Sequence, residues 1–180
     1  MRHHTIGSLK RHASERSSRP RAAVALTLAA SLAIAAVLLE TSVSSHHSFA
    51  MYDQTKTVTL TGVVRQFVAQ ANHAELHFIL IAPDRKGLAK SADGKYVEWG
   101  VEMAGAAAVA QQGITASTFG AGTVFSVRLN PLRDGSNFGS RIGAIARCPL
   151  DPSTNKPKLP PPDKHCDAVE GHTLSGGTAF

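Results

Sequence analysis

Residues 56–68, KTVTLTGVVRQFV, set Val58, Leu60 and Val64 against Thr57, Thr59 and Thr61. A period of two belongs to a strand with one face turned to a core, and no helix can satisfy it. Gly62 interrupts the run where a bulge or sharp bend would fit, so this first strand is expected to curve.

The segments that follow supply its partners. AELHFILIAP alternates Leu76, Phe78 and Leu80 with His77, Ile79 and Ile81, then ends at Pro83 in a polar loop reaching Gly94. KYVEWGVEM puts Val97, Trp99 and Val101 on one face and Glu98 and Glu102 on the other, which makes a third strand with Trp99 on its core side. AGAAAVAQQG switches to a helix former's composition and stops at Gly113. GTVFSVRL and SRIGAIARC read as a fourth and a fifth strand around the turn NPLRDGSNFG. In that turn Gly135 supplies positive φ and Asp134 bonds its own backbone. That structural role is sufficient, although Arg133 could face a partner. The order predicts a mostly β protein: a small five-stranded Greek-key barrel of the oligonucleotide/oligosaccharide-binding (OB) type, with one short helix between strands 3 and 4. An open β-sandwich is the alternative.

Ahead of this domain the chain is basic, then apolar. Arg2, Lys10, Arg11, Arg16, Arg19 and Arg21 face one acid, Glu15, and residues 22–39 carry no charge. The apolar run suits an Ala-rich export signal better than a short membrane anchor. Val43 and Ser45 are small enough for the −3 and −1 positions, so residues 1–45 are expected to be a signal peptide cleaved before His46. Its removal leaves 13 basic against 11 acidic residues, a net charge of +2. The basic whole-chain balance therefore describes the leader, and it argues for neither nucleic-acid nor membrane binding by the mature protein.

The mature chain divides into a barrel domain over residues 46–148 and a Pro/Gly-rich tail over 149–180, expected to be extended or loosely held. Cys148 and Cys166 are the only cysteines. In a chain bound for an oxidising compartment a disulfide between them is the default.

Several of these residues resemble a family of small exported bacterial proteins of unknown function. Its members share a His-His-Ser-Phe after the signal, found here as His46-His47-Ser48-Phe49. Asp53, the run Lys56 to Val64, Trp99 to Glu102, and Pro131-Leu132-Arg133-Asp134-Gly135 with Gly139 match its other motifs. The resemblance spans roughly residues 46 to 147. Where the family has Trp-x-Asn-Pro-His, this chain reads Ala69-Gln70-Ala71-Asn72-His73, keeping the histidine and losing the tryptophan, asparagine and proline from their places. The resemblance implies export and a small barrel, and it brings no established activity.

A histidine at a free N-terminus offers its α-amine and ring Nδ1 together as a chelate, and an amine of reference pKa ~7.7 yields its proton to a metal at neutral pH. Three nitrogens in a plane suit Cu(II). His46 is the first donor, with His47, His73 and His77 as the available additions; His73 and His77 share a face if the second strand begins early enough. The bland alternative is a solvated terminus with His73 in a loop, and His165 and His172 are expected on the surface of the tail. No catalytic constellation emerges: Ser48 lacks a nucleophile-elbow setting, no phosphate loop is present, and the carboxylates are scattered. The functional expectation is a periplasmic or secreted non-enzymatic binding or adaptor module. It would contact an unknown envelope protein or small ligand, with no nucleic-acid partner and no stable membrane insertion once the signal is removed. The alternative is a copper-binding protein using the N-terminal chelate.

Overall fold

The structure, a computed structural model, describes residues 50–177. Strands β1 (Val58–Ala69), β2 (Ala74–Leu80) and β3 (Glu98–Glu102) are followed by helix α1 (Ala106–Gln111), strands β4 (Val124–Pro131) and β5 (Phe138–Arg147), and a short β6 (Thr173–Ser175). The pairs β1–β2, β2–β3, β1–β4 and β4–β5 are antiparallel. A parallel pairing of Gly100, Val101 and Glu102 with Phe138, Gly139 and Ser140 joins β3 to β5 and closes the ring in the order β1-β2-β3-β5-β4. This is the expected five-stranded closed barrel with its single helix between β3 and β4, and the open sandwich is excluded by the closure.

Val64, Leu76, Phe78 and Val101, which the alternation selected, fill the interior together with Phe125, Val127, Leu129 and Ile145, and Leu60 and Trp99 pack against them. Phe78 and Phe119 meet Phe125 edge-on, at centroid distances of 5.0 and 6.1 Å. The helix contributes the fully buried Val109 and stops at Gly113, whose φ of 76° a residue with a Cβ would resist.

Gly62 has a different physical reason from the one its position suggests. The bulge of β1 falls between Val64 and Gln66. At residue 62 a Cβ would stand 2.3 Å from the Phe78 ring and 2.9 Å from the Ile79 carbonyl, so glycine is required by close approach.

The tail is not loose. It crosses the outer face of the barrel, where Cys166 joins Ile81, Val124, Ala146 and Cys148 in a second buried cluster, and β6 pairs with the far half of β5. Cys148 and Cys166 are disulfide-bonded, with Cα atoms 4.8 Å apart. The expectation of a loosely held tail missed this because three-residue strands and isolated apolar anchors leave no periodicity to read.

Candidate functional site

The outer face of β2 and β3 gathers residues of unusual chemistry. Antiparallel register places Glu75 directly opposite Glu102, and His77 opposite Gly100. Two carboxylates so paired repel unless something screens or bonds them. Each has a histidine: His73 Nδ1 is 3.2 Å from Glu102 Oε1, and His77 Nε2 is 2.8 Å from Glu75 Oε2. Tyr52 donates its hydroxyl to the second oxygen of Glu102 at 3.0 Å. Burial, then the hydrogen bond and charge of Glu102, push the Tyr52 phenol far above its ordinary range, so it stays a neutral donor. Glu102 is thereby gripped from both sides while the outer edge of His73 stays open.

Phe138 completes the face. Its ring lies over Gly100, where a Cβ would come within 2.3 Å of it, and its centroid is 6.4 Å from that of His77. Glycine at 100 lets the aromatic ring approach the backbone and border the imidazole.

Arg133, expected to be able to face a partner, binds the chain's own entering segment. Its Nε donates to the Ala50 carbonyl at 3.1 Å and its backbone N–H to the Met51 carbonyl at 3.0 Å. Tyr52 bridges to Leu132, and the Asp53 N–H donates to the Pro131 carbonyl. The turn itself is built as expected, with Gly135 at φ 82° and Asp134 accepting from the Ser136 N–H. Residues 50–53 thus run beside the β4–β5 turn and deliver Tyr52 to Glu102.

His46 and His47, with Ser48 and Phe49, lie outside the described residues. Of the other predicted donors, His73 sits in the turn just before β2 and His77 within it, each on its own carboxylate. Among the described residues no group of three or more His, Cys, Asp or Glu is arranged to hold a metal ion. His165 is a correction: it is half-buried, with Nδ1 2.8 Å from the hydroxyl of the buried Thr61, because the disulfide draws its neighbour into the second cluster. His172 is also partly covered, and its Nδ1 lies 2.9 Å from the Val169 carbonyl. The alternation placed Glu102 on the outer face but left out Tyr52 and Glu75, which strand register and the path of residues 50–53 bring to it.

The comparison with protein families decides the relationship. The chain belongs to DUF6152, a family of unknown function. The match covers residues 33–141, so it ends inside β5 and leaves out the disulfide and β6. The expected relationship to a family without assigned activity therefore holds. No curated protein and no solved structure matches the chain. Among the described residues no helix is long and apolar enough to cross a membrane.

Proposed function

We propose that this DUF6152 protein is an exported, non-enzymatic binding module of the cell envelope that works through the outer β2–β3 face. The observation that carries the reading is the Tyr52–Glu102–His73 linkage. It joins the entering segment, the strand pair and the β1–β2 turn in one fixed polar patch with Phe138 at its border. In an OB-type barrel this is also the face that takes ligands, an argument by fold analogy. Glu75, Glu98 and Glu102 would repel a nucleic-acid backbone there, so the partner is a protein or a small ligand. The basic-then-apolar leader and the disulfide support export. A photocrosslinking residue replacing His77 in the native host should form a defined adduct that the same residue at the exposed Glu170 does not; equal patterns would sink the reading. N-terminal sequencing of the mature protein should begin at or near His46, and retention of residues 22–39 would mean an anchor instead.

A second reading is favoured by one geometric fact: both histidines of the face rest one ring nitrogen on a carboxylate, the support that metal-ligating imidazoles usually have. On this reading the ligand is Cu(II), held by the His46 amine and ring together with His73, or with His47 if His73 stays turned away. His46 lies six residues before Tyr52, a reach of up to about 20 Å. Copper titration of processed protein should give about one tight equivalent, in keeping with copper's place in the divalent-metal order. One Met added before His46 should weaken it sharply, and His73→Ala should cost several-fold. Unchanged affinity in the Met-extended protein would remove the chelate.

A further inference from the structure

Where the tail passes over β1 and the β2–β3 loop, it borders an open cleft of about 280 Å³ that shares no residue with the histidine face. Leu80, Ile81 and Pro83 give it apolar walls, and Thr59, Arg85, Asp163 and His165 give it polar ones. Asp163 and His165 lie beyond the residues matched to the family.

The direction of its hydrogen bonds can be worked out. Ser126 Oγ accepts from the Cys166 N–H at 2.8 Å, Thr61 Oγ1 is 2.8 Å from Ser126 Oγ, and His165 Nδ1 is 2.8 Å from Thr61 Oγ1. Thr61 and Ser126 are both buried, so each hydroxyl proton needs an acceptor. Only one direction uses every proton within this set: Ser126 donates to Thr61 and Thr61 donates to His165 Nδ1. The imidazole proton is then on Nε2, leaving that edge as a donor.

Arg85 is held with similar care. Its Nη2 donates to the Lys164 carbonyl, tying the β2–β3 loop to the tail, while its Nε is buried with no hydrogen-bond partner. An unmet buried donor costs about 1–3 kcal/mol, so the guanidinium is held in place by its surroundings at a cost. Arg85 and Asp163 also adopt left-handed backbone, with φ of 59° and 60°. Two of the three non-glycine residues with positive φ among the described residues thus line this one cleft. Such conformations gather at ligand-binding sites because the surroundings must enforce them.

We propose that this cleft binds a small hydroxylated carboxylate of about the size of one sugar acid. The carboxylate meets Arg85 and the Nε2–H of His165, a ligand hydroxyl donates to Asp163, and the carbon skeleton lies against Leu80 and Ile81. The volume is just below the range of drug-sized pockets, which limits the ligand to a single small ring or short chain. Asp163 disfavours a dianionic phosphate, whereas the N–H groups that Arg85 does not give to Lys164 suit a single carboxylate.

The test is calorimetric titration of the full secreted chain, disulfide intact, with galacturonate, glucuronate and gluconate, against galactose and inorganic phosphate. At least one carboxylate should bind saturably and at least about tenfold more tightly than galactose or phosphate. Arg85→Gln should weaken it by about tenfold or more, and Asp163→Asn, which leaves the Arg85 tie to Lys164 in place, by several-fold. Glu170→Gln, exposed and outside the cleft, should change nothing. No saturable carboxylate binding by about 10 mM, equal binding of galactose or phosphate, or full affinity in both cleft variants overturns the proposal.

Discussion

Tyr52 and Glu102, fifty residues apart in sequence, are joined by a 3.0 Å hydrogen bond from a buried phenol to a partly exposed carboxylate. Through it the segment entering the barrel is fastened to the face that carries His73. Replacing Tyr52 by Phe should cost about 1–2 kcal/mol, since a donor to a charged acceptor is lost while the ring still packs. The measurement is a shift in denaturant midpoint at unchanged slope.

The same bond gives a pH dependence of definite sign. The folded phenol is raised above its ordinary value of 10.0, so ionisation favours the unfolded chain. Its contribution is complete below pH ~10 and declines as pH rises beyond it. Wild-type protein should lose stability through that alkaline window, and Tyr52→Phe should lose less of it. Parallel curves would show that the phenol is not what titrates.

His165 titrates in the opposite direction. Burial first, then the charge of Arg85, lower its pKa, with Asp167 acting against them. The tail's docking is therefore favoured above the ordinary value of 6.5 and is lost as pH falls through the lower folded value. Protection of the Cys166 to Ala168 amides, corrected for the intrinsic pH dependence of exchange, should fall over that window. Asp53, Asp93, Asp134 and Asp151, whose values are lowered from 3.8, act only in stronger acid. Protection factors at the Cys166 to Ala168 amides that stay flat from pH 7 to about 5 would contradict the assignment.

Removing the disulfide should separate tail from barrel. The two cysteines are 18 residues apart, a loop for which chain entropy gives roughly 3 kcal/mol. A Cys148→Ser/Cys166→Ser variant should keep a β-type circular dichroism spectrum while protease cuts within residues 150–164. A spectrum that collapses would mean that the barrel needs its tail in order to fold.

Gly62→Ala tests the close approach of β1 to Phe78. The added methyl meets an aromatic ring and a carbonyl within the core, so the cost should be about 1–3 kcal/mol or more. A change below about 0.5 kcal/mol would mean that the barrel yields there easily.

What was legible beforehand followed from local periodicity. Val58, Leu60 and Val64 in β1 and Leu76 and Phe78 in β2 announce which face is buried because alternation is a property of neighbouring residues. The helix stop at Gly113 and the turn chemistry of Asp134 and Gly135 are equally local. Strand order followed too, since a helix between the third and fourth of five strands leaves few ways to close a barrel.

The sequence alone therefore determined the class of fold, the five barrel strands and their helix, most of the core and the cysteine pair available for a disulfide. Only the tertiary structure decided which polar groups meet. Glu75 faces Glu102 because of strand register, Tyr52 reaches Glu102 because Arg133 and the β4–β5 turn hold residues 50–53, and His165 reaches Thr61 because the tail is pinned at Cys166. Each is a contact between segments far apart along the chain, and such contacts depend on closure and register, which no local pattern of side chains encodes.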